Sequence, residues 1–88
     1  MYTEVDYWPN GQVASKIDYF GSLKHGIAEE WYQDGTKRTK GFYTNGLLQG
    51  NYSYWDVDGN EFRVVYKKGK VVGPLRKFNS RGREIFKN

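Results

Sequence analysis

Residues 54–73 read Tyr54-Trp55-Asp56-Val57-Asp58-Gly59-Asn60-Glu61-Phe62-Arg63-Val64-Val65-Tyr66-Lys67-Lys68-Gly69-Lys70-Val71-Val72-Gly73. An aromatic stands four residues before the first glycine, a β-prone run leads to Tyr66, and a second glycine type closes the stretch. The same layout recurs along the chain. Gly11, Gly35, Gly59 and Gly82 lie 24, 24 and 23 residues apart, and Gly26, Gly50 and Gly73 lie 24 and 23 apart. A period of that length, held by two glycine columns, predicts a repeat protein whose unit is one supersecondary element.

Alignment on the first glycines brings Tyr7, Trp31, Trp55 and Phe78 into one column, and Tyr19, Tyr43 and Tyr66 into another, the last after a one-residue deletion. The turns Pro9-Asn10-Gly11, Gln33-Asp34-Gly35, Val57-Asp58-Gly59 and Ser80-Arg81-Gly82 supply the positive φ of tight hairpin turns. A second, longer turn is read over 21–26, 45–50 and 68–73, ending nine residues before the next tight-turn glycine each time. The segments Gln12–Phe20, Ile27–Tyr32, Thr36–Thr44, Asn51–Trp55, Glu61–Lys67, Leu75–Phe78 and Arg83–Phe86 read as strands. None carries a helical stripe or a helix N-cap signature.

Each unit is therefore a β-hairpin, with units at about 5–26, 27–50 and 51–73 and a partial one at 74–88, all within a single domain, 1–88. A lone hairpin is marginal in water, so stacking must bury the aromatic columns between neighbours. The predicted fold is all-β, a linear array of consecutive β-hairpins forming one elongated, twisted antiparallel sheet.

The unit Tyr54 to Gly59, a strand, then Tyr66 to Gly73 resembles the variant MORN repeat of bacteria and phages, which antitoxin proteins of the YwqK type carry in runs. The resemblance extends from about Val5 to the C-terminus, departing at Gly21-Ser22 and at the deletion before Tyr66. It implies the same hairpin array. It implies equally a small protein that neutralises a macromolecular partner, although fold alone does not select among such roles.

Eighty-eight residues allow one small core, and with no cysteine and one histidine neither a disulfide nor a metal cluster staples it. Aromatic residues, 18% of the chain, must supply the burial, at roughly 150–250 Å² per ring. No cofactor is expected. No apolar run reaches the length of a signal peptide or membrane span, so the chain is expected to begin at Met1 and remain in the cytoplasm.

Charge is distributed unevenly. Residues 1–36 hold six acids against two bases, a net −4, and residues 61–88 hold nine bases against two acids, a net +7. In a linear array this becomes an acidic end and a basic end. Lys and Arg keep exposed sheet edges soluble, and a basic end also steers docking onto an acidic protein surface. The candidates are Lys67, Lys68, Lys70, Arg76, Arg81 and Arg83. Among the aromatics, Trp8 and Tyr32 have no aromatic counterpart in the later units, and Tyr54 shares a column with Asp6, Glu30 and Lys77. These three are the candidate surface anchors, with edge packing as the structural alternative.

Catalysis finds little support: His25 sits in a turn column with Gln49 and Val72, Glu29 and Glu30 point to opposite sheet faces, and no glycine loop precedes a helix. The expectation is a non-catalytic protein-binding module, an antitoxin or immunity-like protein or a phage-encoded inhibitor of a host enzyme. Nucleic-acid or nucleotide binding through the basic half is the alternative, and a scaffold or membrane-surface role stands third. The last strand leaves an edge for a partner strand or for a homodimer through edge strands.

Overall fold

The computed structural model describes residues 1–85. Among these, nine strands form one antiparallel sheet: β1 (Tyr2–Tyr7), β2 (Val13–Phe20), β3 (Leu23–Trp31), β4 (Lys37–Thr44), β5 (Leu47–Leu48), β6 (Gly50–Trp55), β7 (Glu61–Lys67), β8 (Lys70–Phe78) and β9 (Glu84–Ile85). The order across the sheet is β1-β2-β3-β4-β6-β7-β8-β9, with β5 beside β4, so sequence order is spatial order. The array of consecutive hairpins expected from the glycine period is present, in a body measuring 44 × 35 × 13 Å. No helix occurs among the described residues, hence none long and apolar enough to cross a membrane.

The first glycine column closes three-residue loops. Gly11, Gly35, Gly59 and Gly82 have φ of 84–90°, and their N–H groups donate to the carbonyls of Trp8, Tyr32, Asp56 and Asn79. This is a turn followed by a left-handed residue, the usual three-residue hairpin. The second column departs from expectation. The tight connections are the pairs Gly21-Ser22, Asn45-Gly46 and Lys68-Gly69, and the last two have positive φ at both positions, as a type I′ turn requires. Gly26, Gly50 and Gly73 sit beyond these turns, with φ of 115, 86 and 88°. Gly26 and Gly73 lie inside β3 and β8, while Gly50 opens β6 just past the break after β5.

There the strand bulges. β2 advances two residues from Ile17 to Tyr19 while β3 takes four, from Ala28 to Lys24, and β7 and β8 repeat this between Arg63/Arg76 and Val65/Val72. The long turns are therefore short turns followed by bulges. Consequently β3 and β8 begin earlier than expected, and β1 adds a strand that the turn spacing did not mark. Of the expected final strand Arg83–Phe86, Glu84–Ile85 is strand and Arg83 belongs to the preceding loop, while Phe86 lies outside the described residues.

Alternation sorts the side chains onto two faces. One, the tyrosine face, carries Tyr19, Tyr43, Tyr52, Tyr54 and Tyr66. The other, the tryptophan face, carries Tyr7, Trp31, Trp55 and Phe78. The expected burial of these columns is partial: Tyr7 is 64% exposed, Trp31 and Trp55 are half-buried, and Phe78, at 7%, is the one buried apolar side chain among the described residues. A single layer cannot enclose both faces. Guanidinium groups compensate locally, with Arg63 and Arg76 lying 4.2 and 5.2 Å from the Phe78 ring centre.

Candidate partner-docking site

One register row crosses the entire tyrosine face: Asp6, Ser15, Glu30, Thr39, Tyr54, Phe62, Lys77 and Ile85 are successive cross-strand partners. Its chemistry changes from end to end. At the acidic end the Ser15 and Thr39 hydroxyls donate to Asp6 (3.5 Å) and Glu30 (2.8 Å). At the other end the Tyr54 and Phe62 rings lie 5.9 Å apart and Lys77 Nζ stands 5.3 Å from the Phe62 centre. Beyond them Phe62, Pro74, Leu75, Lys77 and Ile85 line a shallow groove together with the paired Arg76 and Glu84. Tyr54, Leu75 and Ile85 are 41, 61 and 41% exposed. The result is an apolar, aromatic patch with a fixed cation, suited to an acidic surface that also offers apolar side chains.

Tyr32 supports this patch from the adjacent loop. Its hydroxyl donates to the Trp55 carbonyl at 2.6 Å, and Arg38, the extra residue of a bulge in β4, lies 5.8 Å from its ring. Burial, then the neighbouring Tyr54 phenol, raises the Tyr32 phenol above its ordinary range. Trp8 repeats the arrangement one unit earlier, its indole N–H donating to the Trp31 carbonyl at 3.0 Å. Both side chains are half-buried and tie each hairpin to the next. Tyr54 alone of the three is exposed.

The basic candidates separate into three places. Arg76 is on the tryptophan face in a two-pronged pair with Glu84, both contacts at 2.8 Å, which raises the Arg76 guanidinium and holds the Glu84 carboxyl below the usual range. Arg81 and Arg83 are exposed in the loop after β8. Lys67, Lys68 and Lys70 occupy the β7–β8 turn at the opposite ends of the strands. There Lys67 faces Lys70 directly, and Lys68 adopts φ of 51°, two features that cost stability.

Phe62, Lys77, Leu75 and Ile85 were not singled out from the sequence. The signal available was Lys77 in the Tyr54 column; Phe62 and Ile85 join it only through cross-strand register, which the bulges conceal. No family model matches this chain, and no curated protein matches it either.

Proposed function

We propose that this chain is a non-catalytic protein-binding module that occludes an acidic surface of a macromolecular partner, in the manner of an antitoxin, an immunity protein or a phage-encoded inhibitor, and acts in the cytoplasm. The observation carrying this reading is the Tyr54–Phe62–Lys77–Ile85 end of the row, exposed at all but the half-buried Phe62, where aromatic anchors, a cation and a largely apolar groove adjoin. The resemblance to variant MORN repeats points the same way. A sheet with preset side chains loses little conformational entropy on docking, so a modest contact suffices, and the basic end speeds encounter.

The test is capture of the partner with the tagged chain after nuclease treatment, repeated with Tyr54→Ala and Leu75→Asp. A single protein retained by the parent chain and lost from both variants supports the reading; retention by both variants contradicts it. A second reading, single-stranded nucleic acid, is favoured by the succession Arg38, Tyr32, Tyr54, Phe62 and Lys77, cations beside rings. It predicts material that nuclease removes and a steep loss of binding with salt.

A further inference from the structure

The tryptophan face carries a second apolar surface, remote from the docking patch. In its turn-side half Ile27 pairs with Phe42, and Val65 with both Val72 and Asn51; the four apolar side chains remain 43, 44, 41 and 43% exposed, with the exposed Asn51 between the two apolar pairs. An apolar sheet face in water is ordinarily covered by another layer about 10 Å away. Among the described residues nothing covers this one.

Charge brackets the band asymmetrically. Asp18 lies at its β2 end, with the Lys16–Glu29 cross-strand pair on the same face beside it, and the like-charged pair Lys67 and Lys70 lies at its β7–β8 end. Strand order follows the chain, so residues 1–36, at −4, and residues 61–85, with eight bases against two acids, also occupy opposite ends of the sheet. A surface that reverses sign across a central apolar band matches itself after a half-turn.

We propose that a second copy of this chain covers the tryptophan face, forming a two-layer sandwich about a twofold axis parallel to the strands and passing between β4 and β6. That rotation sets β2 over the other copy's β8 and β3 over its β7. Asp18 then approaches Lys70 of the partner subunit, and Ile27 packs on Val65 of the partner subunit. The opposed lysines of the β7–β8 turn gain a carboxylate that the described residues of one copy do not supply. The 44 × 35 Å footprint readily accommodates the roughly 800 Å² per partner of a standard interface. The tyrosine face stays outward, so the inference does not rest on the proposed docking function.

Sedimentation equilibrium of the full chain tests it. The parent chain is expected to have the mass of a dimer at micromolar concentration, and Phe42→Glu to sediment as a monomer with an unchanged far-UV spectrum. Lys67→Glu/Lys70→Glu exchanges one like-charged pair for another and leaves the hairpin's own energetics alone. That variant and Asp18→Lys are each expected to self-associate about tenfold more weakly, and an equimolar mixture to recover the parent affinity, because each copy supplies the charge the other lacks. A monomeric parent chain, a dimer that survives Phe42→Glu, or a mixture no tighter than its components overturns the proposal.

Discussion

His25 and Gln49 hold equivalent places in successive hairpins and perform one task. The N–H of Asn45 donates to His25 Nδ1 at 3.2 Å, and that of Lys68 donates to Gln49 Oε1 at 2.8 Å. The lone imidazole thus stitches one turn to the next. His25→Gln is expected to hold stability within about 0.5 kcal/mol, and His25→Ala to lose about 1 kcal/mol, as read by urea unfolding. Gly41 illustrates a different constraint. It lies in β4 with ordinary φ, yet an added Cβ would stand 2.7 Å from the Tyr52 ring and 3.1 Å from Leu48 Cδ2. Gly41→Ala is expected to cost about 1–3 kcal/mol, and an unchanged melting temperature would show that the ring gives way freely. Carboxylates set the response to acid. The Thr36 hydroxyl, then its N–H, holds Asp34 below its ordinary value, and Arg76 does the same for Glu84. Depressed carboxyl values mean stability that is present above the unfolded range, about 3.9–4.3, and is lost as pH falls through the folded values. From these groups the melting temperature is expected to be flat between about pH 5 and 7 and to fall below about pH 4. Asp34→Asn should flatten part of that fall.

At the scale of elements, hairpins and aromatic columns were readable because each turn type and each face repeats at the same interval. The second glycine column was misplaced for a physical reason. Turns and bulges both demand positive φ, and glycine answers either demand equally well, so periodicity alone does not separate Gly26 in a strand from Gly21 in a turn. Register was hidden similarly. Ala14 and Arg38 are extra residues in the first two hairpins, whereas Glu61 and Phe62 pair consecutively with Trp55 and Tyr54. The deletion before Tyr66 removes that bulge residue, and only with this known does Phe62 fall beside Tyr54. The β7–β8 turn allows a direct check. Lys68 occupies the left-handed position that Asn45 fills one unit earlier, and Asn tolerates that conformation better. Lys68→Asn is expected to stabilise the chain by about 0.5–1 kcal/mol, measured by thermal unfolding; a loss of stability would mean that the lysine side chain contributes within the fold.

For the whole molecule, the absence of a second layer among the described residues governs both functional inferences. A sheet 13 Å thick with one buried apolar side chain among the described residues leaves two faces available, and the two differ in chemistry. The tyrosine face grades from carboxylates to rings and a cation along one row, while the tryptophan face pairs an apolar band with charges of opposite sign at its ends. Composition and charge segregation announced the polarity of the array but not which face would carry which part, because that assignment depends on bulges at single residues. The most direct test of the docking account is a titration of the isotope-labelled chain with its captured protein partner, following every backbone amide by NMR. The account predicts shifts concentrated at Tyr54, Phe62, Leu75, Lys77 and Ile85. Shifts confined to β1–β3, with the Tyr54–Ile85 end unmoved, would contradict it.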